Sequence, residues 1–140
     1  MSETPKMINP PESWHPRPPA SEAVLDQLIV NCPMLLPAAY LNLLRVSNGG
    51  GAELSVLPWS VDFWAAGDLL RLNQKYGIDK DAPNFLAFGS NLGEEVLAFD
   101  KREGTCSGVY MLPWHDPKEA FARKVASSLE KLVAAFTDGD

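Results

Sequence analysis

Apolar residues recur at helical spacing in four stretches of the chain, and they alternate or cluster in short runs in four others. Ser21 offers an N-cap to the first helical stretch, where Val24, Leu25, Leu28 and Ile29 repeat three and four apart until Pro33 ends it. Leu36, Tyr40, Leu43 and Leu44 mark a second helix. It opens at Leu36 or Pro37, because a proline has no N–H to waste at the first helical position. Asn48, Gly49, Gly50 and Gly51 stop it, since these residues accept the left-handed backbone of a helix C-cap. Leu69, Leu72 and Tyr76 predict a third helix between Ala66 and Tyr76, closed by Gly77. For the last helix, Asp116 serves as cap, Pro117 as first residue and Glu119 as the acid of a capping box. Phe121, Val125, Leu129, Leu132, Val133 and Phe136 then form its buried face.

The strand signals are of two kinds. Glu53 to Leu57 alternates polar and apolar, with Leu54 and Val56 on one side, until Pro58 and Trp59 interrupt it. Phe85 to Phe88 and Val96 to Phe99 are continuous apolar runs joined by a polar glycine-bearing turn, which predicts a hairpin of strands covered on both faces. Val109 to Leu112 follows as a further strand, and Phe85 to Phe88 is the candidate for the centre of the sheet. The order of elements predicts an α+β fold: a mainly antiparallel sheet of about four strands packed with N-terminal, middle and C-terminal helices. Half of the twelve prolines fall in the first twenty residues, where apolar periodicity is absent. Residues 1–20 therefore read as a proline-rich arm and 21–140 as a single domain.

Composition narrows the function. No apolar run approaches a membrane span, and prolines break up the N-terminus where a secretory signal would need an uninterrupted apolar stretch. Cys32 and Cys106 sit in no metal-ligand spacing, so the expected setting is the reducing cytoplasm, with both thiols as small hydrophobes. A net charge of −6 argues against direct binding of nucleic acid or an anionic membrane and favours a basic partner.

The chain carries little that reads as catalytic machinery. Gly49 to Gly51 follow a helix, the wrong end for cradling a phosphate, and lead to no Lys-Ser or Lys-Thr. His15 and His115 are the only histidines, and no Gly-x-Ser-x-Gly elbow exists. A small enzyme using His115, Asp116 and Cys106 is the weakest of three hypotheses, because a strand-to-helix corner and a bystander thiol explain the same residues. The expectation is no enzyme, no cofactor and no metal. Glu94 and Glu95 are adjacent on a strand, so their side chains point to opposite faces and do not form a carboxylate pair.

Charge placement is more informative. From Asn48 to Asp100 there are eight acidic residues against three basic ones, and Trp59, Phe63 and Trp64 are interleaved with them. Aromatic anchors beside steering acids suit a protein interface, which makes Trp59, Asp62, Trp64, Asp68, Glu94 and Glu95 the candidate partner-binding residues. The competing explanation is that the tryptophans close the core beneath the sheet.

Several segments, taken in order, resemble one family. Leu-Pro-Ala-Ala-Tyr from Leu36 to Tyr40, Ser47-Asn48-Gly49-Gly50, the helix ending near Tyr76, Phe88-Gly89 and Phe99-Asp100 are similar to the SUKH superfamily, the Smi/Knr-like domain of bacterial toxin-immunity proteins and fungal cell-wall regulators. The similarity runs from about Ser21 to Phe136. It implies a non-enzymatic α+β domain in which Pro37, Tyr40, Asn48, Gly49, Gly50, Phe88, Gly89 and Asp100 make the fold. It also implies, as the leading hypothesis, stoichiometric neutralisation of a cognate toxin such as a basic nuclease. The alternative is a regulatory scaffold acting through the proline-rich arm. That arm with Trp14, and the Trp59 to Trp64 cluster, depart from the commoner family pattern.

Overall fold

The computed structural model describes residues 15–53, 60–91, 93–102 and 108–138. In chain order the elements are β1 (His15–Pro16), α1 (Glu22–Asn31), α2 (Ala38–Val46), β2 (Gly50–Glu53), β3 (Ser60–Phe63), α3 (Leu69–Lys75), α4 (Ile78–Asp81), β4 (Phe85–Ser90), β5 (Glu95–Asp100), β6 (Val109–Pro113), a 3-10 turn (Glu119–Phe121), β7 (Arg123–Ala126) and α5 (Leu129–Asp138). All strands join one antiparallel sheet whose spatial order follows the sequence, β1 to β7. The fold is thus α+β with an antiparallel sheet, as the pattern predicts.

The expected count of about four strands falls short. Six strands have four or more residues, and the two-residue β1 extends them. The additional strands are short, four residues each. α2 ends at Ser47 in an extended conformation rather than on the expected left-handed glycines, and β2 begins three residues later at Gly50. β3 is a Ser-Val-Asp-Phe alternation directly after Trp59, and β7 reads Arg-Lys-Val-Ala. Leu54, Val56, Trp59 and Cys106 lie outside the described residues.

β4 is the middle strand, and all six of its residues are buried. Its alternation sends Leu86 and Phe88 into one core with Leu97, Phe99, Val109 and Met111, beneath Leu25 and Leu28 of α1, Tyr40, Leu43 and Leu44 of α2, and Leu129 and Leu132 of α5. Phe85 and Ala87 face the opposite way with Val96, Ala98, Leu112, Trp64 and Ile78. Phe88 stacks on Phe99 at 4.1 Å, and Tyr40 meets both rings edge-on at 5.7 and 5.3 Å. Each such pair adds roughly 0.5–1.5 kcal/mol beyond the area it buries.

Helix boundaries follow local chemistry. Ser21 caps α1, its Oγ accepting from Val24 N at 3.2 Å. Pro37 is the N-cap of α2 rather than its first residue, so the helix starts at Ala38, past both expected openings at Leu36 and Pro37. α3 begins at Leu69, and Gly77, with φ of 72°, turns the chain directly into the short α4. The predicted helix from Asp116 is the largest correction. Asp116 caps nothing, Phe121 is exposed and Val125 lies on a strand. Glu119 turns outward to accept from Asn84 N at 2.8 Å and Asn84 Nδ2 at 2.9 Å. The helix starts instead behind Ser128, whose Oγ accepts from Lys131 N at 3.1 Å. Tertiary pairing of Met111 with Arg123 and of Tyr110 with Lys124 overrides the helical period.

Candidate functional site

The face of the sheet opposite α1 and α2 carries an aromatic cluster. Trp64 follows β3, Tyr76 ends α3, and Trp114 follows β6. Their ring centroids are 6.4 Å (Trp64 to Tyr76), 6.0 Å (Trp64 to Trp114) and 4.5 Å (Tyr76 to Trp114) apart, the last pair at 80°. Trp64 is 6% exposed and forms the floor, so the core-closing account holds for most of its surface. Tyr76 is 36% exposed and Trp114 is half-buried. Tyr76, Trp114, Gly93, Glu94 and His115 line an open groove of about 420 Å³. Trp114 N donates to Glu94 O at 2.8 Å, which fixes the indole beside the acidic turn.

The acids divide by their partners. Arg17 reaches Asp62 at 3.0 Å, Arg71 reaches Asp68 at 3.0 Å, and Arg123 reaches Glu95 at 3.1 Å. Glu94, exposed at the mouth of the groove, makes no ion pair among the described residues. The structure therefore brings Glu94 and Trp64 to one aromatic cluster, whereas Glu95 turns to the other face, toward Arg123 and Met111. Asp62 and Asp68 are engaged in pairs of their own, and Trp59 lies outside the described residues. Asp116 faces Lys118 at 3.9 Å, and no hydrogen bond joins it to His115.

The remaining singled-out residues form a frame beneath this face. Asn48 Oδ1 accepts from Ala66 N at 2.7 Å, and Asn48 N donates to Pro18 O at 3.0 Å, so one residue ties the N-terminal segment to the chain after β3. Gly49 presses on the same stretch, since a Cβ there would lie 2.4 Å from Phe63 O. Gly89 approaches it from the other side, where a Cβ would lie 2.6 Å from Asp62 O and where β4 bulges around Phe88. Gly50 continues into β2 opposite Phe63. Asp100 is buried at the end of β5 and is gripped by the Arg102 guanidinium and backbone N–H, which hold its carboxyl below the usual aspartate range.

The family model SMI1/KNR4 (SUKH-1) matches residues 19–135, a span that contains the Asn-Gly-Gly turn, the Phe-Gly bulge and the Asp100 strand end. The chain belongs to this family. No curated protein sequence matches it. The SUKH-1 match covers α1 to α3 and the first seven residues of α5, and it starts just after the Arg17 and Pro18 contacts that close the N-terminal segment over the turn.

Three residues of this SUKH-1 domain escaped sequence reasoning. Tyr76 reads as part of an apolar helical stripe and Trp114 carries no assignment in the sequence, yet both surface in the groove. The available signals were a Tyr at a helix end before Gly77 and a Trp-His directly behind a strand. Asn73 gave no signal, because a buried amide inside an apolar helical stripe becomes meaningful only once its strand partner is known. Cys32, the described thiol, is half-buried, and burial pushes its pKa up, which disfavours the thiolate.

Proposed function

We propose that this SUKH-1 domain is an immunity-type protein that binds a basic toxin domain, such as a nuclease, one-to-one in the cytoplasm and blocks it without catalysis. The observation that carries this reading is the SMI1/KNR4 (SUKH-1) match over residues 19–135, since that family suggests an immunity-protein-like or Smi1/Knr4-like role. The surplus of acids between Asn48 and Asp100, with an aromatic groove on the sheet and Glu94 unpaired beside it among the described residues, adds steering charge and anchors of the kind such a complex uses. The side-chain arrangement around His115 also supports binding over chemistry, since Asp116 is turned to Lys118 rather than to the imidazole.

Co-expression with the polypeptide encoded next to it tests the reading. Rescue of growth together with a co-purifying complex is the expected result, with Glu94→Lys weakening the complex and slowing association at low salt. A folded chain that neither rescues nor binds would remove the immunity reading and turn attention to the proline-rich arm.

A further inference from the structure

The outer face of the sheet already holds one guanidinium in a defined way. Arg102 is clamped by the Asp100 carboxylate and lies over the Phe85 ring, its Cζ 5.7 Å from the ring centroid. A planar cation is thus met by a carboxylate at its edge and an aromatic ring at its face, the combination for which arginine is better shaped than lysine. The groove on the same face presents the same two components. Glu94 supplies a carboxylate with no ion pair among the described residues, and Tyr76 and Trp114 supply two rings at 80° to each other. Cations are also compatible with these rings, since Lys75 Nζ lies 5.4 Å from the Tyr76 centroid. His115 also lines the groove.

We propose that this groove is the receptor for a single arginine side chain of a protein partner, its guanidinium lying against the Trp114–Tyr76 ring pair and paired with the Glu94 carboxylate. The inference deepens the immunity reading by naming what the acidic face recognises, and it rests on that reading only for the identity of the partner. The groove, about 420 Å³, has room for a long side chain. Glu94 gives charge complementarity to a basic partner at the place where the aromatic surface opens.

The test uses the full chain and N-acetyl-arginine methylamide, with the indole N–H resonances of Trp64 and Trp114 as the readout. A saturable shift at Trp114 is expected, with binding about tenfold weaker for the neutral citrulline analogue and for Glu94→Gln, as loss of one charge-assisted pair implies. Glu94 is exposed, so Glu94→Gln keeps the fold, and the unshifted dispersion of the remaining resonances checks that. No saturation, an equal response to citrulline, an equal response to the lysine analogue, or an unchanged Glu94→Gln variant would each overturn the proposal. No toxin is present in this experiment. Arginine binding without any toxin complex would leave the groove standing and remove the immunity reading; a toxin complex indifferent to Glu94→Gln would do the reverse.

Discussion

Asn73 and Ala87 are joined as two strand residues would be: Asn73 Oδ1 accepts from Ala87 N at 2.8 Å and Asn73 Nδ2 donates to Ala87 O at 2.8 Å. Strand β3 pairs only with Ser90 and Gly89 of β4, so the first half of the central strand has no strand neighbour on that side. The amide of α3 takes that place. α3 consequently lies along the strand edge, with Leu69 in the core under the helices and Leu72 packed on the other.

Asn73→Ala is therefore expected to leave two buried backbone groups unpaired and to cost about 3 kcal/mol of unfolding free energy. Urea titration checks this: the midpoint falls while the slope stays the same, because the surface exposed on unfolding is unchanged. A loss within experimental error would show that water replaces the amide at the strand edge.

Gly49 and Gly67 separate close approach from mere loop placement. Gly49 has φ of 94°, and a Cβ on it would lie 2.4 Å from Phe63 O and 3.1 Å from Trp64 C, whereas a Cβ on Gly67 would meet nothing within 4 Å. Gly49→Ala is expected to lose about 2 kcal/mol or more through strain and displacement of β3. Gly67→Ala should be neutral or gain up to about 1 kcal/mol by restricting the unfolded chain. Thermal melts of the two variants read the difference directly, and equal melting temperatures would contradict the packing at the Asn-Gly-Gly turn.

Asp100 gives the protein a defined acid sensitivity. Its side chain is 4% exposed, and the Arg102 guanidinium lowers its carboxyl below the ordinary aspartate value of 3.8. A carboxyl depressed in the folded state stabilises the fold at pH values above that ordinary value, and the contribution is lost as pH falls through the depressed folded value. Asp100→Asn should thus be less stable at neutral pH and lose less stability than the parent on acidification below 3.8. In a carboxyl NMR titration, Arg102→Gln should move the Asp100 midpoint upward; an unmoved midpoint would show that Arg102 is not what lowers it.

The sequence pattern revealed the parts of the fold where burial alone decides structure. Phe85 to Phe88 and Val96 to Phe99 are apolar without a break because they are covered on both faces, and they pair as the expected hairpin. Tyr40, Leu43 and Leu44 form the buried stripe of α2 for the same reason. Strands that are half-exposed or stand at the edge, such as Ser60–Phe63 and Arg123–Ala126, carry no such pattern, and their pairing depends on neighbours far away in sequence. The same holds for the candidate site. Glu94 and Trp64 were legible as acid and aromatic, but Trp114 converges with them through the register of β5 and β6, where Glu95 opposes Pro113, and Tyr76 through α3, which Asn73 holds against β4.

Tyr40 separates the worth of a ring from that of its hydroxyl. The ring packs edge-on against Phe88 and Phe99, while its hydroxyl is buried with no hydrogen-bond partner among the described residues, and burial pushes its pKa far above the usual tyrosine value. Tyr40→Phe keeps every ring contact and removes a polar atom that has lost its water, so the variant should be as stable as the parent or more so by about 1 kcal/mol. Tyr40→Ala removes the ring itself and should cost about 3–5 kcal/mol, because Phe88 and Phe99 cannot close the space from a rigid sheet. Denaturant midpoints of the two variants settle the division. A Tyr40→Phe protein less stable by a full kilocalorie would mean that the hydroxyl holds a bond in solution, and the ring would no longer account for this position on its own.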